Sequence, residues 1–357
     1  MIRKIFTVLI AAGMVFMTGC DNGHYTEYGG EITDVSGEEL ASMSASQVSA
    51  EELEREEAEE SKRLAEEATA TSLQIADRMG NMVDVPEDVS RIVSCSPAAT
   101  EILSGLGLTD KIVAADMMSA DVWGIDPDIC TLDMMHINTQ YIADLAPDLV
   151  VIGEISVTDE SNPIAELRDK GVYTAYIPTA NSIESIKMDI EFLAGLTGTF
   201  DTANELISLI NTNLLYIEEI VADLPPVNVY FEVSDLPEIY AVGTNNFLAD
   251  MIERAGGKTV LTDYSGFVQL SYEDIPAIIS GADVIITNVS YEGYDYNEIY
   301  EREGFEALPA VANSQVYSVN TDYTSRASQN ITAGVTEIAK ILHPEAFPDE
   351  ITEEIAA

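Results

Sequence analysis

The chain carries a group of soft side chains between positions 117 and 136. Its members are Met117, Met118, Met134, Met135 and His136. Thioethers are polarizable and adapt to large, irregular, apolar ligands. They can also ligate the iron of a haem or another soft metal. The alternative is that the methionines only fill space in loop packing and that His136 is an ordinary surface residue.

Aromatic side chains are frequent in the second half of the chain. They are Tyr240, Tyr264, Phe267, Tyr291, Tyr294, Tyr296 and Tyr323. Flat rings with a polar tip suit a macrocycle or a siderophore because they cover area and also offer a hydrogen bond. Several of these rings could equally be core or surface tyrosines. Arg326, four residues after Asp322, could contact a ligand or could close a local salt bridge to Asp322.

Composition excludes several classes of function. The chain has 357 residues, with 63 acidic against 16 basic side chains and a formal net charge of −47. Nucleic acid and anionic membrane surfaces are therefore unsuitable partners, because phosphate contacts need clustered Lys and Arg. Three cysteines and three histidines are too few for a zinc module or a disulfide scaffold. Only 11 Lys and Arg follow Asp77, which disfavours a strongly anionic ligand, because such a ligand needs several positive partners.

The first twenty residues predict the compartment. Arg3 and Lys4 precede an apolar run, Ile5 to Met17, which has the length of a secretory signal and is too short to span a bilayer of about 30 Å. The run ends in MTGC at 17–20, which resembles a bacterial lipobox. Cleavage before Cys20 would leave a lipid on that cysteine and anchor the protein outside the cytoplasmic membrane. An ordinary cleaved signal with a chance cysteine is the alternative.

Residues 21–77 predict an acidic tether. They hold 16 Asp and Glu but 3 Lys and Arg, and the stretch 51–67 is rich in helix formers with few large apolar side chains. Such a segment cannot bury a face, whether it is disordered or helical. We expect a charged spacer, with a coiled-coil partner segment as the alternative.

From residue 78 the pattern alternates between strands and helices. Residues 78–181 predict a first α/β lobe with parallel strands buried on both faces. Residues 182–226 show no strand signal, and apolar positions from Leu206 to Val221 recur at steps of three and four, which predicts one helix of about six turns. Residues 227–357 predict a second α/β lobe, in which Ser271 and Asp274 resemble a capping box. The fold class is therefore α/β, with two doubly wound lobes joined by one long helix.

The predicted elements have the following bounds. The strands are 91–94, 112–115, 148–152, 172–177, 227–231, 283–287 and 315–319. The helices are 97–106, 141–145, 163–170, 247–255, 272–279 and 329–342, and Ser96 is the expected N-cap of the first.

Five segments resemble one protein family in the order in which that family carries them. They are VP and RIVSCSPAATE at 85–101, IADLAPDLV at 142–150, AGG at 255–257, VQLSYE at 268–273, and DYTSRAS at 322–328. The chain thus resembles the class III substrate-binding proteins of ABC importers, which deliver cobalamin, haem and ferric siderophores. The resemblance covers roughly residues 77–344.

The resemblance implies a ligand site between the lobes, with the long helix as a stiff connector. When the chain is aligned by these motifs, seven residues fall at positions that line the pocket of the family or contact ligand in its cobalamin-binding members. Those positions are Met118, Met134, Tyr240, Phe267, Asp322, Tyr323 and Arg326. Met135 lies close to where some haem-binding relatives place an axial methionine. The carboxyl ends of parallel strands, where helix N-termini offer free N–H groups, are also where α/β proteins bind ligands.

The resemblance also implies an ABC permease and its ATPase as partners, with docking to the permease through one glutamate on each lobe. Glu273 stands at the second-lobe position. Gln140 stands at the first-lobe position and carries no charge, so a neighbour such as Asp144 could substitute.

The sequence therefore predicts a monomeric, lipid-anchored, extracytoplasmic solute-binding protein without a cofactor of its own, whose cargo is a corrinoid or an iron complex. A haem receptor with Met or Tyr ligation and a surface sensor that has lost transport are the alternatives. We do not expect an enzyme, because G-x-S-x-G and H-E-x-x-H are absent and base catalysis would rest on His136. Cys95 and Cys130 could pair outside the cell, but nothing in the sequence fixes their distance, and we expect free thiols.

Overall fold

A computed structural model describes residues 73–158 and 162–348. Cys20, the signal segment and most of the predicted tether lie outside these residues, so the predictions made for them stay predictions. Among the residues that are described, no helix combines the length and the apolar character needed to cross a bilayer.

The described chain opens with a short antiparallel hairpin that the sequence analysis missed. It consists of β1 (Gln74–Ala76) and β2 (Met82–Asp84). Ile75 packs against the main core, and Arg78 donates to both carboxylate oxygens of Asp189, at 3.0 and 2.9 Å. The assignment of residues 74–76 to the tether was therefore wrong, because burial of Ile75 and the Arg78–Asp189 pair fix them to the folded unit.

The first lobe is a parallel sheet of five strands with helices between them. Its strands are β3 (Ile92–Cys95), β4 (Ile112–Asp116), β5 (Cys130–Leu132), β6 (Leu149–Gly153) and β7 (Thr174–Ile177), in the order β5-β4-β3-β6-β7. Its helices are α1 (Pro97–Gly105), α2 (Thr139–Asp144) and α3 (Pro163–Asp169). Every residue of β3 and β6 is buried, as predicted for β6 from its unbroken apolar run. The predicted cap is also confirmed, since the Ser96 hydroxyl accepts from the Ala99 amide.

Two packed helices connect the lobes. They are α4 (Ile183–Thr197) and α5 (Phe200–Val221). The predicted six-turn helix is α5, and its apolar stripe buries Ile210, Leu214, Ile217 and Val221. The turn between the helices passes through Gly198, whose φ of 73° favours glycine.

The second lobe combines parallel and antiparallel strands. Its strands are β8 (Val227–Glu232), β9 (Ile239–Val242), β10 (Gly257–Thr259), β11 (Phe267–Leu270), β12 (Val284–Thr287) and β13 (Val316–Ser318). The strand order is β11-β9-β8-β12-β13, and β10 also pairs with β8. Four strands run parallel to one another, namely β10, β8, β12 and β13. Strand β9 runs antiparallel to both β8 and β11. Its helices are α6 (Phe247–Arg254), α7 (Ile275–Ile278), α8 (Pro309–Ala312), α9 (Thr321–Ser325) and α10 (Ile331–Leu342).

The predicted capping box at Ser271 and Asp274 is wrong. Helix α7 is a single turn, and Asp274 makes no side-chain cap hydrogen bond. Residues 271–274 instead form a turn in which the Asp274 amide donates to the Ser271 carbonyl at 2.9 Å. Pro276 has no N–H and fits only the first turn of a helix, so the helix cannot extend through it from residue 272.

One hydrophobic core runs through both lobes and the connector. The same cluster contains Ile92 of the first sheet, Ile190 and Ile217 of the connecting helices, and Phe231 of the second sheet. Two smaller clusters cover the outer face of each sheet. The structure therefore confirms two α/β lobes, and the shared core resists large independent motion of the lobes on the connector side.

Ile217→Ala should lower the free energy of unfolding by about 2–5 kcal/mol, because the fully buried side chain would leave a cavity in this shared core. Leu215→Ala is the matched control, since Leu215 lies on the same helix and is 57% exposed; it should change stability by about 0.5 kcal/mol or less. Urea unfolding measures both variants. Equal effects would contradict the assignment of the buried face.

Candidate functional site

A cleft of about 900 Å³ opens between the lobes. Its first-lobe lining consists of Ser96, Pro97, Ala98, Met117, Met118, Ala120, Asp121, Pro127 and Met134. Its second-lobe lining consists of Ser290, Ser318, Val319, Asn320, Thr321, Asp322, Ser325 and Arg326. Most of these residues follow the carboxyl ends of parallel strands, as α/β geometry predicts for a ligand site.

A single carboxylate holds the two methionine loops of the first lobe. Asp116, the buried last residue of β4, accepts from the Met118 amide through Oδ1 and from the Met134 amide through Oδ2, each at 2.8 Å. Burial raises the pKa of Asp116, and the backbone amides of Met118 and Met134 act in the opposite direction. The two loops are therefore fixed relative to each other before any ligand arrives.

Two of the three methionines that line the cleft are largely exposed to solvent. Met118 is 63% exposed, Met117 is 53% exposed, and Met134 is half-buried. Large apolar side chains exposed at a concave surface mark a binding site more often than a packing defect. Loop packing therefore does not explain Met117 and Met118.

Met135 and His136 lie beside the cleft but do not line it. Met135 is 61% exposed. The His136 ring is exposed and lies 2.9 Å from Asp133, and this hydrogen bond lowers the pKa of the Asp133 carboxyl.

The second-lobe wall is built on the one-turn helix α9. The Asn320 side chain caps it by accepting from the amides of Asp322 and Tyr323, at 2.8 and 3.3 Å. The side-chain amide of Asn288, just beyond β12, donates to the hydroxyls of Thr324 and Ser325, both at 3.1 Å. These bonds fix the helix that presents Asp322 to the cleft.

Arg326 reaches across from the second lobe to the first. Its Nη2 donates to the Met118 carbonyl at 3.2 Å and to the carboxylate of Asp121. The same nitrogen lies 3.3 Å from Asp322, and Nη1 lies 3.8 Å from Glu101. The local salt bridge to Asp322 is therefore present, and it is one part of a larger ionic group.

Glu101 makes the second contact between the lobes. Its buried carboxylate accepts from the Ser328 hydroxyl at 2.6 Å, and its carbonyl accepts from the Gln329 side chain at 2.8 Å. Burial raises the pKa of Glu101, against the lowering effect of Ser328 and Arg326. Glu101, Asp116 and Asp121 were not predicted from the sequence, in which only the position of Asp116 at a strand end signalled a role.

Three of the seven expected ligand residues do not line the cleft. Tyr240 and Phe267 stand on the neighbouring strands β9 and β11; the Tyr240 hydroxyl donates to Gln269 at 3.4 Å, and the Phe267 ring meets Phe247 edge-on at 6.3 Å. Tyr323 lines a separate groove of about 600 Å³ between α5 and α10. The structure thus brings together Met118, Met134, Asp322 and Arg326.

The two expected docking positions differ in their surroundings. Glu273 is exposed immediately before α7. Gln140 is exposed on α2, where it donates to Asp144 at 2.8 Å and accepts from Lys170 at 3.1 Å. The first-lobe position therefore presents a neutral amide that is already paired.

Cys95 and Cys130 are free thiols, as expected. Burial raises the pKa of Cys95 to about 12, so this thiol stays protonated. Within residues 73–158 and 162–348, no three His, Cys, Asp or Glu side chains converge to hold a metal ion.

Residues 92–323 match the family described as periplasmic binding protein. The chain belongs to the periplasmic binding protein family. It is 27% identical over 281 residues to the ABC transporter substrate-binding lipoprotein YvrC of Bacillus subtilis, covering 77% of this chain and 87% of that protein. It is 24% identical over 262 residues to the vitamin B12-binding protein of Vibrio cholerae, covering 72% and 90%.

A solved structure agrees with this assignment. The chain is similar to a possible iron-binding, periplasmic solute-binding protein from Staphylococcus epidermidis, with a TM-score of 0.61, 28% identity, and coverage of 72% of this chain and 100% of that one. Periplasmic binding proteins act outside the cytoplasmic membrane and bind solutes without transforming them. This periplasmic binding protein is therefore not an enzyme.

Asp116→Asn should lower the free energy of unfolding by about 1–3 kcal/mol. The asparagine amide has one oxygen and one NH₂ group, so one of the two backbone N–H groups that now donate to the carboxylate would face another donor. Hydrogen exchange at the Met118 and Met134 amides should accelerate together. Asp133→Asn is the control, since Asp133 lies on the same loop with a half-exposed side chain, and it should leave both amides protected. Unchanged exchange in Asp116→Asn would contradict the proposed link between the loops.

Proposed function

We propose that this protein is the solute-binding component of an ABC importer and that it captures a corrinoid between its lobes. The single observation that carries the proposal is the cleft, which combines a volume of about 900 Å³ with exposed thioethers on one wall and polar groups on the other. Sites for small molecules and cofactors typically span about 300–1,000 Å³ and combine apolar lining with a few polar groups. The vitamin B12-binding relative supports a corrinoid in particular.

Binding requires no bond to form or break. Met117 and Met118 would lie against the flat apolar surface of the ligand, and Asp322 and Ser325 would receive its polar edge. The shared core keeps the connector side of the lobes together, so closure would be a small approach of the two walls around the ligand. The metal of the complex is then cargo rather than a resident cofactor.

Haem is the second candidate, because Met135 offers an exposed thioether next to Met134 of the cleft. The carboxylates of a haem need positive partners, however, and the one arginine of the cleft is already paired with acidic side chains. The corrinoid is therefore the better fit. Incubation with haemin and with a corrinoid distinguishes them, since a shifted Soret band would support haem and a retained corrinoid band would support our proposal.

The same proposal includes the location of the protein and its attachment to the membrane. A lipid on Cys20 would anchor the protein outside the cytoplasmic membrane, and residues 21–72 would connect the anchor to the folded unit, which would act as a monomer. The lipoprotein relative supports this arrangement. Mass spectrometry of the protein purified from its host membrane tests it, since an unmodified Cys20 would contradict the anchor.

Ala98→Trp should weaken corrinoid binding. Ala98 lines the cleft in the first turn of α1, so an indole there would occupy ligand space and should weaken binding by more than about tenfold, or 1.4 kcal/mol. Ala312→Trp is the control, because Ala312 is exposed and precedes β13, at the end of that strand opposite the cleft. Isothermal titration with cobinamide measures both, and equal affinities would place the ligand elsewhere.

Glu273→Lys should reduce corrinoid uptake by cells without changing the affinity of the purified protein, because the charge that would meet the permease is reversed. Glu306→Lys, at another exposed position of the second lobe, should leave uptake unchanged. Normal uptake with Glu273→Lys would exclude docking through this residue. If deletion of the whole protein also left uptake intact, a surface sensor without a transport role would be supported instead.

A further inference from the structure

An arginine lines the cleft, but its positive charge is already paired with carboxylates and does not face a ligand. Arg326 is the one Lys or Arg that lines the cleft among the described residues. Its side chain is 10% exposed, so most of its charge faces protein rather than ligand. Its guanidinium meets three carboxylates, those of Glu101, Asp121 and Asp322.

The carboxylates of Asp121 and Asp322 alone outnumber the single positive charge of Arg326, so the group keeps unbalanced negative charge. The unbalanced charge is accessible, because the side chains of Asp121 and Asp322 are 60% and 42% exposed and both line the cleft. They stand on opposite walls, Asp121 on the first lobe and Asp322 on the second. A ligand seated in the cleft therefore meets carboxylate oxygens from both sides.

We infer that the cleft selects neutral or cationic metal complexes and rejects anionic ones, with Asp121 and Asp322 as the residues that determine this specificity. The inference rests on the proposed function and adds the charge class of the ligand. Carboxylates accept hydrogen bonds from amide or ammonium groups at the edge of a complex. They repel carboxylate or catecholate groups at the same place, and a guanidinium that is already paired cannot offset the repulsion.

The experiment compares ligands of similar size and different charge by equilibrium titration. The corrinoids are dicyanocobinamide, which is neutral, aquocyanocobinamide, which is cationic, and a cobyrinic acid, which carries carboxylates. A cationic ferric hydroxamate and a trianionic ferric catecholate form a second series. Two unit charges 4 Å apart interact by about 1 kcal/mol even in water, so the anionic member should bind at least about fivefold more weakly than the neutral one in whichever series binds.

The variants Asp121→Asn and Asp322→Asn test whether these two residues determine the charge preference of the cleft. Each should weaken binding of the cationic corrinoid by about fivefold and strengthen binding of the anionic one, because Arg326 loses a partner. A purely structural role of either aspartate would weaken all ligands alike. Asp263→Asn is the matched control, an exposed aspartate of the second lobe outside the cleft lining, and it should change nothing.

The possible outcomes distinguish the proposed function from the inference about ligand charge. If neutral and cationic complexes bind and anionic ones do not, both stand. If anionic complexes bind as tightly as neutral ones, or if the Asn variants weaken every ligand equally, the charge inference is overturned while the proposed function stands. If no complex of either series binds, the proposed function falls and the inference falls with it.

Discussion

Arg326 determines how the two halves of this molecule meet at the cleft. Its guanidinium leaves the second lobe and lies against the Met118 carbonyl and the Asp121 carboxylate of the first. A largely buried guanidinium requires charged partners, because removing one of them strands the remaining charge. The lobes are therefore held together here by an ionic contact, and the same contact removes the positive charge from the ligand surface.

The rest of the architecture depends on where the hydrophobic core joins the two lobes and where the cleft separates them. On the connector side a single core joins both sheets through α4 and α5, so that side is closed. On the other side the strand ends of the two sheets face each other across the cleft, which Arg326 lines, and the bond from Ser328 to Glu101 also joins the two lobes. Asp116 then fixes the two methionine loops, which gives the first wall a defined shape.

The local sequence pattern predicted most of the first lobe and the long helix. Unbroken apolar runs and an N-cap followed by proline are compatible with few other secondary structures. Strands β5, β9, β10 and β11 were missed. Of these, β5 and β10 have three residues each with at most one large apolar side chain, and β9 and β11 form an antiparallel pair, whereas the prediction relied on parallel strands alternating with helices. Contacts between distant residues were also out of reach: Glu101 and Ser328 are 227 positions apart. Tyr323 and its neighbour Asp322 line different grooves, because successive helical residues point about 100° apart and α9 turns Tyr323 towards α5.

The most direct test of a ligand site between the lobes is the position of cobalt in crystals grown with dicyanocobinamide. Anomalous diffraction at the cobalt edge locates the metal without assumptions about the organic ligand. The structure predicts one peak in the cleft, between Met118 and Asp322. A peak in the groove beside Tyr323 and Leu209, with the cleft empty, would contradict it.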